Sequence, residues 1–129
     1  MHRSHRLTIR VAYNETDGQR RVHHANYLNY FERGRVELLR SLGQSYKSFE
    51  AEGMMLVVSE MNVRYVQAAE FDDVLELETT VVSARGARIR HAYRITRETA
   101  LIVTAESTIA CVGGDGRAKR LPASMQIVE

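Results

Sequence analysis

The sequence predicts an α+β fold in which one long helix lies against one antiparallel sheet. Three observations carry this. Residues 7–13 alternate apolar and polar side chains with period two. Residues 27–42 repeat their apolar positions at three and four residues. From residue 54 onward the chain returns to the period of a strand, broken by turn residues.

In "RLTIRVAY", Leu7, Ile9, Val11 and Tyr13 share one face and Thr8, Arg10 and Ala12 the other, the signature of a half-buried strand. Tyr27, Phe31, Gly34, Leu38 and Leu42 then form an apolar stripe, with Arg33, Glu37 and Arg40 elsewhere. That is an amphipathic helix of about four or five turns. Gly43 is placed to cap its C-terminus. Gly34 lies on the stripe, where glycine weakens a helix, and it lets the helix backbone approach whatever it packs on. "SYKSFEAEG" is a short helical segment. "MMLVVSEMNVRYV", "DVLELETTVVSA", "RIRHAYRIT" and "ALIVTAESTIACV" are four strands, joined largely as hairpins. Pro122 opens a last short helix, "PASMQIV".

The turn at Arg85-Gly86 sets a register. A three-residue loop, Arg85-Gly86-Ala87, puts Leu77 beside Ile95 and Glu78 beside Arg94 and keeps one face apolar. The same register predicts a Glu78–Arg94 pair and places His91 on the apolar face as a core histidine. A single helix does not cover both faces of so long a sheet, so a second copy of the chain is expected against a face or an edge.

The 129 residues fit a single domain spanning the chain, with 44% hydrophobic residues to build its core. Cys111 is the lone cysteine, which excludes an internal disulfide and suits a reducing, cytoplasmic setting. No apolar run is long enough for a membrane span, and "MHRSHRLTIR" lacks the apolar region of a signal peptide. A net charge of +2 argues against a nucleic-acid partner. The charge is uneven, however: Glu70, Asp72, Asp73, Glu76 and Glu78 precede Arg85, Arg88, Arg90, Arg94 and Arg97. The histidines at 2, 5, 23 and 24 lack a Cys or acidic cluster to complete a tetrahedral set, so neither a metal nor a cofactor is expected.

The motifs carry a resemblance. Tyr13, Thr16, Asp17, His24, Asn26, Tyr27, Phe31, Glu32 and Arg35 match the order Y-x-x-T-D, short loop, H-x-N-Y, F-E-x-x-R. Asp72, Asp73, Leu75, Glu78 and Thr79 match a second signature at the start of a strand. This resembles the 4-hydroxybenzoyl-CoA thioesterase family of hotdog-fold acyl-CoA thioesterases, in which a five-stranded antiparallel sheet wraps one long helix. Two positions depart from the pattern: Arg20 stands where the family has glycine, and Ala68 where a proline is common.

The resemblance implies hydrolysis of an acyl-CoA thioester to a free acid and coenzyme A. It puts Asp17 beside the thioester carbon, either activating water or attacking directly. It puts the main-chain N–H of His24, at the positive end of the helix, on the carbonyl oxygen. Tyr27 is then a candidate for the acyl pocket, and Arg85, Arg88 and Arg90 for the coenzyme A phosphates. A homodimer or homotetramer with sites at subunit interfaces is implied too. The alternatives are a thioesterase for chains on an acyl carrier protein, a non-catalytic acyl-CoA binder, and a hotdog hydratase using His24. Glu32 and Arg35 read as an exposed or interfacial ion pair.

Overall fold

The computed structural model describes residues 3–127; His2 lies outside them. Five strands, β1 (Ser4–Arg10), β2 (Met54–Tyr65), β3 (Val74–Arg85), β4 (Arg88–Arg97) and β5 (Ala100–Gly113), form one sheet in the order β1-β3-β4-β5-β2. All neighbouring pairs are antiparallel. The long helix α1 (Asn26–Ser41) and the short α2 (Tyr46–Ala51) lie between β1 and β2 in the chain. This is the expected α+β hotdog arrangement.

The connectivity differs from a run of hairpins. β3, β4 and β5 are joined that way, but β2 crosses to the far edge and pairs with β5. β1 is shorter than its alternation suggests. Val11 still exchanges main-chain bonds with Asp73 and Asp72, at 2.9 and 3.0 Å. The chain then leaves the sheet in a 3-10 turn, Tyr13–Glu15. Tyr13 is 75% exposed, its ring edge-on to Phe71. The final helix is a single 3-10 turn, Ala123–Met125, after which Ile127 bridges to Ala84.

The β3–β4 register holds, with Leu77 opposite Ile95 and Glu78 opposite Arg94. The loop that sets it is different. Arg85 pairs with Arg88 across a two-residue turn, Gly86-Ala87, and a bulge between Val81 and Ser83 absorbs the odd residue. Gly86 takes φ +61°, the placement that glycine adopts without strain at the head of a tight hairpin. Glu78 does not pair with Arg94. β1 lies on the other side of β3, and its Arg6 reaches Glu78 at 3.3 Å and Glu76 at 3.4 Å.

The apolar stripe of α1 is buried on the sheet. Tyr27, Tyr30, Phe31, Gly34, Leu38 and Leu39 all face inward. Gly34 marks the tightest approach: a Cβ there would come within 2.8 Å of Leu77 Cδ2 and closer still to Thr79 Oγ1. Both neighbours are fully buried on β3.

The same face buries a charge. Arg35 is 6% exposed and does not pair with Glu32. At i+1 from Gly34 it turns inward, and Nη1 donates to Tyr93 Oη at 3.0 Å; Tyr93 in turn shares a 2.5 Å bond with Ser107. Tyr46 lies beside the same guanidinium. His91, 7% exposed, is in the core as expected but is not satisfied there: its Nδ1 has no partner. Burial, reinforced by the Arg35 charge, pulls its pKa from 6.5 down to about 3.

Two outcomes follow from this packing. Gly34→Ala, which raises the stability of an exposed helix, is expected to lower it here by about 1–3 kcal/mol through overpacking; urea denaturation measures the sign. His91 stays neutral in the folded protein while the unfolded chain protonates it below about pH 6.5. Its contribution is therefore complete above pH 6.5 and is lost as pH falls toward 3, at up to about 1.4 kcal/mol per pH unit. His91→Phe should flatten that acid limb in pH-dependent melts.

Candidate active site

The loop between β1 and α1 is built by backbone pairing. Thr16 bridges Val22, and Asp17 N–H donates to Arg21 O at 2.8 Å. Arg20 N–H returns to Asp17 O at 3.1 Å, closing a turn over residues 17–20. The loop is also stitched to the segment before β3. Arg21 bridges Glu70, Val22 N–H donates to Ala69 O at 2.8 Å, and Phe71 N–H donates to Arg20 O at 3.3 Å.

Asp17 has a structural task in this turn. Its Oδ1 accepts from the N–H of Gln19 at 2.8 Å and of Arg21 at 3.3 Å. That is how short acidic side chains hold turns. Among the described residues Oδ2 has no partner, and the side chain is exposed. Arg20 takes φ +67°, so the loop keeps the left-handed step that a glycine would make there. The arginine makes the step under strain of about 1 kcal/mol.

The start of α1 is held by Glu15. Its Oε1 accepts from Tyr30 Oη at 2.8 Å and Ala12 N–H at 2.7 Å. Its carbonyl accepts from His23 N–H at 2.9 Å and Asn26 Nδ2 at 2.8 Å. Burial, then the Glu15 carboxylate, raises the Tyr30 pKa, so the phenol remains a donor.

The helix begins at Asn26, after a turn that contains His24. That turn uses donors usually left free at a helix N-terminus. Asn26, Tyr27 and Leu28 donate to the carbonyls of His23, His24 and Ala25, and Ala25 N–H donates to His23 Nδ1 at 3.1 Å. Among the described residues, His24 N–H is the one main-chain donor in the run 23–28 without an acceptor.

Asp17, Arg21, His24, Tyr27, Tyr65 and Gln67 line one open cleft of ≈ 390 Å³. Tyr65 Oη donates to His24 O at 3.2 Å, and Tyr27 packs edge-on against Tyr65 and Tyr30. Burial raises the Tyr27 pKa. Asp17, His24 and Tyr27 are thus brought together. Tyr65 and Gln67 were not picked out from sequence, because they lie at the end of β2 and just beyond it and reach the cleft only by its crossing to the far edge of the sheet.

Arg85, Arg88 and Arg90 are exposed and lie elsewhere. Asp17's loop is tied to residues just before β3 begins, whereas Arg85 is the last residue of β3. At about 3.3 Å per strand residue the separation along β3 is roughly 35 Å. Beside them run Arg117, Lys119 and Arg120, since Lys119 N–H donates to Cys111 O and Leu121 N–H to Gly86 O. Among the described residues none of these six cations sits in an ion pair. The three later ones were masked in sequence by a turn-rich tail, "GGDGRAKR". Among the described residues no group of three or more His, Cys, Asp or Glu is arranged to hold a metal ion, and no helix is long and apolar enough to cross a membrane.

Comparison with known proteins agrees with this fold. Residues 11–127 match the model of the thioesterase-like superfamily. The acyl-CoA thioester hydrolase YbgC of Escherichia coli O6:H1 is 38% identical over 108 residues, covering 83% of this chain and 81% of that protein. The crystal structure of a probable thioesterase from Bartonella henselae superposes with a TM-score of 0.87 at 33% identity, covering 92% of this chain and 99% of that one. The 4-hydroxybenzoyl-CoA thioesterase of a Pseudomonas species superposes with a TM-score of 0.86 at 22% identity over 94% and 95% of the two chains, a likeness of fold. By its motifs, its sheet order and these matches, the chain belongs to the thioesterase-like superfamily, among the hotdog-fold acyl-CoA thioesterases.

Proposed function

We propose that this protein hydrolyses an acyl-CoA thioester, with Asp17 and the His24 main-chain N–H as its chemical groups. The observation that carries this is their meeting in one cleft: a carboxylate with a free oxygen and an unpaired main-chain donor. The comparison with an acyl-CoA thioester hydrolase supports the substrate class.

The chemistry follows from the two groups. Asp17 Oδ1 is occupied by two amides, which leaves Oδ2 to take a proton from water or to attack the acyl carbon. The carbonyl oxygen becomes an oxyanion facing His24 N–H, a donor worth about two to three powers of ten in rate. The C–S bond then breaks. In the water route the proton held by Asp17 passes to the departing thiolate. In the direct route an anhydride of Asp17 forms and water cleaves it. Tyr27 forms a wall of the acyl pocket in either case.

The cationic cluster at residues 85–90 and 117–120 meets coenzyme A phosphates by charge. Its distance from Asp17 within one chain makes the complete site an assembly of two protomers, the partner supplying the cations. The exposed Met55, Val57 and Val58 on the edge strand β2 favour such an assembly. The same six cations also favour a second reading, in which the acyl group arrives on an acidic carrier protein.

Asp17→Asn keeps the Oδ1 acceptor and so keeps the turn, while the free oxygen becomes an amide. We expect an unchanged melting temperature and a fall in kcat of about a thousandfold or more across an acyl-CoA panel. Full activity in this variant removes Asp17 from the mechanism. Replacing Arg85, Arg88 and Arg90 by alanine should raise KM at least tenfold at low salt and flatten its salt dependence, with kcat little changed. If only carrier-bound substrates show that effect, the carrier reading replaces the coenzyme A reading.

A further inference from the structure

The helix α1 has a second polar site at its other end. We propose that the cavity beneath its C-terminal half binds a short monocarboxylate, with the Arg35 guanidinium as the anion's partner. The cavity measures ≈ 40 Å³ and shares no residue with the Asp17 cleft. Its walls are mostly apolar, Leu38 and Ile109 among them, and the polar side chains that line it are Arg35, His91, Gln44, Tyr46 and Ser124.

The argument begins with an unbalanced charge. Arg35 is buried and permanently cationic. Its hydrogen-bond partner is the Tyr93 hydroxyl, Tyr46 lies beside it, and burial raises the Tyr46 pKa, which keeps that phenol protonated. Among the described residues no carboxylate pairs with Arg35. A buried charge without a counter-ion is among the costliest features a core can hold. A guanidinium offers five N–H donors, more than two phenols occupy.

The second observation is independent. His91 Nδ1 is buried on the same cavity and has no hydrogen-bond partner. With its proton on Nδ1 the neutral ring donates into the cavity. The Gln44 amide at the rim is also half-orphaned, at Oε1; a half-turn of that amide presents its NH2 group instead. A guanidinium fork, an imidazole N–H and an amide N–H converging between aliphatic walls are complementary to a carboxylate with a small apolar tail.

Size narrows the class. A cavity in this measure needs about 10–15 Å³ per water, so there is room for about three heavy atoms. Formate fits, acetate marks the upper limit, and propionate exceeds it. Chloride offers one centre where the fork takes two oxygens, and it leaves the apolar walls unfilled. The site is independent of the hydrolytic reading, because its ligand is held at the opposite end of the helix and no bond is made or broken there.

The test is thermal unfolding of the intact protein titrated with sodium formate and sodium acetate, with sodium chloride holding the ionic strength fixed. A saturable rise in melting temperature is expected, roughly 3–6 °C at ten times the dissociation constant. Arg35→Met should abolish it. Ala84→Val, which fills the cavity wall without touching a polar group, should abolish it as well and decides the matter if the arginine variant does not fold. Asp17→Asn should retain it. No rise in the wild type, or a rise that persists in Ala84→Val, overturns the proposal; loss only in Asp17→Asn places the carboxylate in the open cleft instead.

Discussion

The rest of the molecule is arranged around the approach of α1 to β3 at Gly34. No side chain separates the helix backbone from Leu77 and Thr79 there. Fixing this one contact fixes the axial position of the helix over the sheet. Its N-terminus then projects where β3 begins, beside the loop that carries Asp17, and its C-terminus lies over the far ends of β3, β4 and β5. A methyl group at position 34 would lift the helix, and both ends would move with it.

The two ends of α1 handle polar groups in opposite ways. At the N-terminus the main-chain polar groups are nearly all satisfied by short-range bonds, and the exceptions, Asp17 Oδ2 and His24 N–H, belong to residues that line an open cleft. Leaving such groups unpaired is inexpensive while water can reach them. At the C-terminal half, His91 Nδ1 has no partner and the Arg35 charge has no counter-ion among the described residues, and both side chains are buried. The same vacancy there is far more costly, because the surroundings cannot supply a partner. A site for chemistry is compatible with the first arrangement.

Much of the fold was legible along the chain. The period change between β1 and α1, the stripe from Tyr27 to Leu38 and the alternation of Leu75, Leu77, Thr79 and Val81 all reflect local geometry and one-sided burial. The Leu77–Ile95 register was legible for the same reason, although the bulge at Val82 was not: two different loops satisfy the same facial pattern. Tyr13 was misplaced because alternation cannot show where a strand runs out of partners. Arg35 was misread because its neighbour Glu32, three residues away, suggested an ion pair; the cue to the contrary was Gly34, which draws this stretch of helix into the sheet.

By itself the sequence determined the class of fold, the helix and its buried face, and the pairing of β3 with β4, and it singled out the short segment from Asp17 to Tyr27 that the structure gathers in one cleft. Each rests on residues close in the chain or on a periodicity that reports one buried face. Tertiary structure alone decided that β2 crosses to pair with β5, that Arg6 takes Glu78 from Arg94, that six cations gather far from Asp17, and that Arg35 and His91 share a cavity. These depend on which surfaces meet across tens of residues. Periodicity carries no record of that choice, because the same apolar faces are equally well buried in more than one strand order.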